Sequence, residues 1–429
     1  MKTPPITILA AFFLLTIFSA TPRVATADTI TDLKAKIEDR AREIQKIEQE
    51  IGEYQRQIQE TGNQAKTLQD AIKILDITRK KLLADLNLTK NKLSITQLTI
   101  VELQNEINIK EEKIKLNREV VADSLREIQY SDSISLIESL LAYKDVGELW
   151  NRVEVLHQFR NAVSSRIAEL KNLGIELKDK KAESEQKKNK LSGLTVELAD
   201  RKKIVERNQT DKENLLTQTK STEANYRKIL AQKQAVRDAF QKELLQFESQ
   251  LKFAIDPKSF PSAGNHVLNW PLPQHIITQP FGETEFSRTT AAYNGQGHNG
   301  IDLKASIGTE VMAAAGGIVA GVGNTDTVCP NASYGKWILL KHNNGLSTLY
   351  AHLSLIKVQS GQAVQTGNII GYSGSTGYAT GPHLHFTVYA TEGLRIVERR
   401  SVICGGKIYT MPVADLKAYL NPVDYLPNA

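Results

Sequence analysis

The stretch Ile30 to Ile58, ITDLKAKIEDRAREIQKIEQEIGEYQRQI, carries isoleucine at 30, 37, 44, 51 and 58, and a second apolar position at Leu33, Ile47 and Tyr54 with polar Arg40 between. Counting on in sevens gives Ala65, Ile72, Arg79, Leu86, Leu93, Ile100, Ile107, Ile114 and Val121, a series that only Arg79 breaks; Leu68, Leu75, Leu82 and Leu103 extend the companion series, into which Thr61, Lys110 and Asn117 put polar side chains. An apolar repeat of 3.5 on a helix of 3.6 residues per turn makes a stripe that a partner helix must cover. Some 90 residues in one register predict a helix of about 140 Å at 1.5 Å per residue.

A second run supplies the partner: Val146, Leu149, Val153, Leu156, Val163, Ile167, Leu170 and Leu177, then Leu191, Leu198 and Val205, with Leu230, Phe240, Leu244, Phe247 and Leu251 at its far end. Tyr130-Ser131-Asp132-Ser133 is poor in helix formers and predicts the turn between the runs. Around it Ile134, Leu136, Ile137, Leu140, Leu141, Trp150 and Phe159 form an apolar patch, read either as a short helix packed on the hairpin or as a docking surface. His157 in this patch is expected to be packed rather than to bind a ligand. The expectation for 28–256 is thus an antiparallel coiled-coil hairpin with an apolar tip near 130–160.

The flanks differ in kind. Residues 1–27, with Lys2, an apolar run from Ile6 to Phe18 and a small-x-small site at Ala25-Thr26-Ala27, predict a secretory signal, the run being short of the roughly 20 residues that span hydrocarbon. The expected location is the periplasm or the extracellular cell-wall space. No proline occurs between Pro22 and Pro257, whereas 21 of the 26 glycines follow residue 263. Asp256-Pro257-Lys258 stops the helix, 257–265 is a linker, and from 266 to 429 the apolar period becomes two, in short runs such as Trp337-Ile338-Leu339-Leu340 and Leu384-His385-Phe386-Thr387-Val388. The fold class is therefore α + β in separate domains, a coiled-coil hairpin followed by an all-β domain. The 54 basic and 48 acidic residues leave a formal charge of +6 with no concentrated basic stripe, which excludes nucleic acid as a partner. Cys329 and Cys404, both in the β domain of an exported chain, are expected to form one disulfide.

Four of the eight histidines sit in tight local contexts. Gly297-His298-Asn299-Gly300-Ile301-Asp302 offers an imidazole and a carboxylate four positions apart, on glycines that let the backbone turn. His383 and His385, two apart in a strand former, share one face. His352 follows Tyr350-Ala351 at a strand end. Two imidazoles and one carboxylate make a catalytic zinc set with an open fourth position, and the two remaining histidines are left for proton transfer and oxyanion stabilisation. His266, His275 and His342 are read as structural.

The Gly297–Asp302 motif, Tyr350-Ala351-His352-Leu353, the stretch SGSTGYATGPHLHF from Ser373 to Phe386 and the closing Asn421-Pro422-Val423-Asp424-Tyr425-Leu426 resemble the LytM/lysostaphin-type zinc endopeptidases of peptidoglycan. The resemblance covers roughly 266–429 and implies that His298, Asp302 and His385 hold zinc, that His352 and His383 orient the water and stabilise the transition state, and that the substrate is a cell-wall cross-link. The order of parts, signal, coiled coil and LytM domain, is similar to the EnvC-type murein hydrolase activators. That likeness implies a partner at the apolar tip, the external domain of an ABC-type (FtsEX-like) division complex. It also implies an alternative function, a non-catalytic activator of murein amidases. Such activators have damaged zinc sites, whereas all five positions are intact here, which favours an enzyme. A third reading, a transport adaptor with a lipoyl-like hairpin around Val364-Gln365-Thr366-Gly367, leaves the histidines unexplained. Two segments, Asn324–Ser333 with Cys329 and Glu392–Met411 with Cys404, exceed the compact catalytic domain and are expected to shape the groove rim.

Overall fold

The computed structural model describes residues 27–62, 67–133, 146–283, 297–331, 333–379 and 381–428. The expected signal and the apolar positions Ile134 to Leu141 lie outside them. The chain divides into two compact units, one of residues up to 41 with 94–192, the other of 42–93 with 193–429. Among the described residues no helix is long and apolar enough to cross a membrane.

Among the described residues four helices precede the β strands: α1 (Ala27–Gly62), α2 (Leu68–Ser133), α3 (Val146–Thr219) and α4 (Glu223–Glu248). In the first unit ion pairs join Glu106 to Lys180, Lys110 to Glu176 and Lys113 to Glu169, so partner numbers fall along α3 as they rise along α2. The second unit repeats the pattern with Asp76 and Lys212, Asp85 and Arg201, and Thr89 and Glu197. This is the antiparallel hairpin that the heptads predict.

Three local expectations are corrected. The expected first arm of some 90 residues is not one helix: α1 ends at Gly62, α2 begins at Leu68, where Thr67 caps it by accepting from the Asp70 N–H (3.1 Å), and the pairs of Lys34 with Glu102 (3.8 Å) and Glu48 with Lys92 (3.9 Å) set α1 antiparallel against α2. Residues 130–133 continue α2 instead of turning, because weak propensity costs only a few tenths of a kcal/mol per residue, roughly, and does not stop a helix already propagating. His157 is exposed, with Asn161 beside its ring (3.3 Å).

The far end of the second run is a separate element. Lys220 and Ser221 both adopt left-handed backbone (φ 49° and 55°), and Ser221 N–H closes on Leu216 O (3.1 Å), which ends α3. Thr222 then caps α4, and the chain turns toward the β domain. Phe240, Leu244, Phe247 and Leu251 therefore pack with that domain and not along the coiled-coil seam.

The β strands are β1 (Ile277–Gln279), β2 (Ile301–Lys304), β3 (Glu310–Met312), β4 (Gly317–Asn324), β5 (Lys336–His342), β6 (Leu346–Ala351), β7 (Leu353–Ile356), β8 (Ala363–Val364), β9 (Ile369–Ser373), β10 (His383–Ala390), β11 (Leu394–Arg400), β12 (Ile408–Ala414) and β13 (Tyr419–Leu420). The main sheet runs β1-β2-β10-β6-β5-β4-β8, with β13 paired to β10. A three-stranded sheet, β3-β9-β7, and the hairpin β11-β12 complete the domain.

Alternation decides which face does what. Ile301, Leu303, Ile338, Leu340, Tyr350, Leu384, Phe386 and Val388 point to one side and form the core with the small sheet. Their neighbours Trp337, Leu339, Leu349, Ala351 and Tyr389 point to the other side, where Phe240 of α4 and Tyr409, Met411 and Val413 of β12 cover them. β6 and β10 are buried on both faces, with the polar Ser347, Thr348, His385 and Thr387 among their buried residues. Full burial of Phe240 alone contributes roughly 2–3 kcal/mol to holding α4.

Within the same unit the coiled-coil base is seated on the small sheet. Leu82 and Ile204 pack on Tyr372 of β9. Around them Lys81 pairs with Asp85 (2.8 Å) and donates to Ile307 O (3.1 Å), while Arg201 reaches Glu197 (2.7 Å), Asp85 (3.7 Å) and Glu310 (3.8 Å). Removing one member of this buried set would leave its partners charged and unpaired, so it fixes one docking geometry.

Candidate metal centre and groove

Period two also builds the site. On β10, Leu384 and Phe386 face the core, so His383 and His385 must face the opposite side. Antiparallel register sets His385 opposite Asp302 of β2 and opposite Ala351 of β6, and His352 is the residue after Ala351. His298 arrives on the turn before β2, held by a two-way backbone bridge to Gly282 (2.8 Å each way).

Two glycines permit this approach. At Gly297, φ is +79°, and a Cβ would sit 2.6 Å from the Gly282 carbonyl carbon. A Cβ on Gly300 would lie 2.5 Å from Phe386 O and 2.6 Å from Thr387 Oγ1. Neither position has room for a side chain, which gives the glycines of the Gly297–Asp302 motif a steric reason.

His298 Nε2, His385 Nδ1 and Asp302 Oδ1 converge: nitrogen to nitrogen is 3.1 Å, and the carboxylate oxygen lies 3.3 Å from the first and 3.0 Å from the second. The outer nitrogens settle the tautomers. His298 Nδ1 donates to Pro280 O (3.0 Å), and His385 Nε2 lies 2.9 Å from Thr387 Oγ1, which can accept its proton. With those bonds made, the inner atoms are three lone-pair acceptors facing one point, an arrangement that a cation reconciles. The donor set of two imidazoles and a carboxylate fits zinc. All three side chains are nearly buried, at 1%, 9% and 4% exposure for His298, Asp302 and His385.

The two remaining histidines are placed alongside. His352 adopts φ +59°, rare for a residue with a side chain, held by its N–H to Tyr334 O (2.9 Å) and by Nδ1–H to Thr376 O (2.7 Å), which leaves Nε2 as an acceptor. His383 donates from Nδ1 to Gly381 O (2.8 Å), and its Nε2 lies 3.6 Å from Asp302 Oδ1. The rings of His352 and His383 are 4.7 Å apart. All five residues singled out in the sequence are thus brought to one place. His342 is buried between Gly316 O and Thr348, His275 stacks on Trp270 (4.6 Å), and His266 bonds Leu426 O, so these three are structural.

Electrostatics follow the packing. Burial opposes the charge on Asp302, but the nearby imidazoles of His383, His298 and His385 outweigh it and hold its carboxyl well below the usual range. Burial, reinforced by His383 and His385, holds His352 well below the ordinary imidazole value. His385 is lowered as well, chiefly by burial, against the pull of Asp302.

Several lining residues are not evident from the sequence. The cavity of about 190 Å³ beside His298, His352 and His385 is walled by Phe281, Tyr334, Tyr378 and Tyr419, and across it by Gln241, Leu244, Leu245 and Glu248 of α4. Tyr334 is buried with its hydroxyl near Tyr389 (3.4 Å) and Asn299 (3.3 Å), and burial pushes it up to about 12. Glu248 Oε1 accepts from Tyr419 OH (2.8 Å) and from Ala414 N–H (3.1 Å), and burial pushes its carboxyl up to about 7. Phe240 and Phe247, aromatic beside the aliphatic Leu230, Leu244 and Leu251, are the signal in the sequence that α4 has a different neighbour.

Cys329 and Cys404 are joined, as expected, linking the segment after β4 to the turn of the β11-β12 hairpin. The compared sequences agree with the geometry. The Peptidase family M23 profile matches residues 296–396. The DD-carboxypeptidase/endopeptidase Mpg of Neisseria meningitidis serogroup B is 39% identical over 116 residues, 27% of this chain and 25% of that protein. The peptidoglycan DD-endopeptidase ShyA of Vibrio cholerae serotype O1 is 44% identical over 89 residues, 21% of this chain and 19% of that one. The chain thus spans about a quarter or less of the length of these two relatives. The catalytic domain of lysostaphin from Staphylococcus simulans, at 29% identity, covers 35% of this chain and 92% of that structure with a TM-score of 0.26. Residues 296–396 are a LytM/lysostaphin-type domain of peptidase family M23.

Proposed function

We propose that this protein is an exported zinc endopeptidase that opens peptide cross-links of peptidoglycan, and that α4 keeps its groove covered until the helix is displaced. The observation that carries the reading is the convergence of three acceptor atoms with two further histidines beside them. The relatives named as peptidoglycan endopeptidases support the substrate class.

His298, Asp302 and His385 would hold the zinc, which supplies Lewis acidity to acidify water and polarise the scissile carbonyl. His352, with its Nδ1 proton fixed on Thr376 O, presents Nε2 as the base that takes a proton from the attacking water. His383 Nε2, close to Asp302, can carry a proton and donate it to the oxygen that becomes negative. Tyr334 and the α4 residues shed water from the groove; α4 also stands where a substrate chain would have to pass.

The tip supports a partner. Trp150, Val153 and Val155 are 71%, 50% and 65% exposed, more apolar surface than a solvated helix face needs. We read it as the docking point for the external domain of an ABC-type (FtsEX-like) complex that would displace α4, and a Trp150→Ala chain should lose localisation but keep basal cleavage. The alternative function, a non-catalytic activator of amidases, draws on the covered groove but leaves the five-residue set without a use. Digestion of purified peptidoglycan, followed by mass spectrometry of the fragments, separates the two. New peptide termini support catalysis; none from either the parent chain or one with α4 loosened overturns it.

A further inference from the structure

Beside Tyr419 and the main sheet, one hairpin grips the helix over the groove. Glu243 of α4 accepts from Ser401 Oγ (2.8 Å) and from the backbone N–H groups of Val402 (3.3 Å) and Ile403 (3.4 Å), and pairs with Arg399 (3.5 Å). Arg399 also lies 4.3 Å over the Phe247 ring and donates to Glu243 O (3.3 Å), and Phe240 packs on Tyr409 at 5.2 Å between ring centres. Every one of these contacts belongs to β11, β12 or the turn between them.

The turn is exposed at its tip. Val402 is 81% exposed and Ile403 38%, and Gly405 and Gly406 both take positive φ. Its internal bonds are local: Ser401 N–H to Lys407 O (3.0 Å), Gly406 N–H to Ser401 O (2.8 Å), Cys404 N–H to Ser401 Oγ (3.1 Å), Gly405 N–H to Val402 O (3.2 Å) and Lys407 N–H to Cys404 O (3.5 Å), with Arg400 donating to Gly406 O (2.6 Å). The first three rest on Ser401, the residue that also binds Glu243. The covalent tie is Cys404 to Cys329. Cys329 is buried and anchored by its N–H to Thr325 O (2.9 Å), in the segment that in turn bonds Gly335, next to the groove residue Tyr334. The disulfide thus joins the wall of the groove to the grip on its cover. Both cysteines pack into the apolar cluster that Phe240 of α4 shares with Trp337 and Tyr409, a cluster that contains none of the five site residues.

We propose that the Cys329–Cys404 disulfide is a redox latch: oxidised, it holds the 401–407 turn in the shape that grips Glu243 and keeps α4 across the groove; reduced, it lets the turn open and the helix lift. The inference rests on reading α4 as the cover of a working site. A dithiol reductant completes the chemistry. Its thiolate attacks Sγ of Cys404, the less buried sulfur, and the S–S bond breaks with its electron pair leaving on Cys329, which takes up a proton. The reductant's second thiolate then attacks the mixed disulfide, expelling Cys404, which is protonated, and closing a disulfide in the reductant. Two electrons and two protons enter the protein.

Hydrogen exchange on the full chain, with and without dithiothreitol, tests the latch without needing catalysis. Amides of 223–248 should exchange at least tenfold faster after reduction, while those of 383–390 stay unchanged. A Cys329→Ser/Cys404→Ser chain should show the fast pattern without reductant and no further response. Because small dithiols bind zinc, cleavage of peptidoglycan is compared between the parent and this double variant, and the variant should be several-fold faster. Equal exchange of 223–248 in both redox states overturns the latch, as does an equal rise in 383–390, which would make the disulfide a staple of the whole domain. Fast exchange without any cleavage would leave the latch standing and refute the enzymatic reading instead.

Discussion

Glu248 offers a quantitative handle on how α4 is held. Its carboxyl is 5% exposed, and burial pushes it up to about 7 against an ordinary value of 4.5, although Tyr419, Ala414 N–H and Arg399 favour the charged form. A docked helix therefore binds this proton more tightly than a free one. Docking is strongest below about pH 4.5, weakens as pH rises to about 7, and is level above that. The gap of about 2.5 pH units, at about 1.4 kcal/mol each, amounts to roughly 3 kcal/mol. Of the tyrosines that face Glu248, burial pushes Tyr334 up to about 12 and Tyr389 and Tyr419 well above the ordinary tyrosine value, so none of them titrates in this window. Both hydrogen bonds to Glu248 end on the same oxygen, Oε1, so Glu248→Gln can keep both and lose only the titration. Hydrogen exchange across 223–248, corrected for intrinsic rates and followed from pH 5 to 8, should show protection that falls with pH in the parent and stays flat in the variant. Identical profiles would mean that Glu248 does not govern docking.

Other outcomes follow from the site. His298→Ala, Asp302→Ala and His385→Ala should each lose zinc on elemental analysis, because a three-ligand site stripped of one ligand binds far more weakly; stoichiometric zinc in all three would dismiss the assignment. His352→Ala and His383→Ala should retain zinc yet cut peptidoglycan roughly 100-fold more slowly or worse, and native rates would make either residue structural. Phe240→Ala empties a fully buried position and should cost about 3–5 kcal/mol of α4 docking, seen as faster cleavage by the variant at equal folded fraction. Slower cleavage by a folded Phe240→Ala chain would contradict the view of α4 as a cover.

Where a repeat was long, the sequence was enough. Ile72 to Val121 and Leu191 to Val205 lie on α2 and α3, which pair antiparallel as expected, whereas Ile30 to Ile58 lie on α1, which runs antiparallel to α2 instead of continuing it. The five site residues were legible because strand alternation and glycine turns act over a few residues. What escaped depended on distant partners. The break between Gly62 and Leu68 carries no proline, and the reversal at Lys220 and Ser221 uses no glycine, so nothing local marks either. Leu230 to Leu251 keep a helical period whichever surface covers them, and only the Phe240 and Phe247 aromatics hint that the cover is the β domain. The burial of Glu248 and the grip of Ser401 on Glu243 arise from segments more than 150 residues apart.

The central claim, that His298, Asp302 and His385 make a working zinc site acting on peptidoglycan, is tested most directly by titration. The chain is stripped of metal with a chelator, zinc is returned in measured amounts, and new peptide termini released from purified peptidoglycan are counted by mass spectrometry. The account predicts that release vanishes in the stripped protein and returns in proportion to zinc up to one ion per chain, and that His385→Ala stays silent throughout. Release that persists in the stripped protein, or that His385→Ala recovers with added zinc, would contradict it.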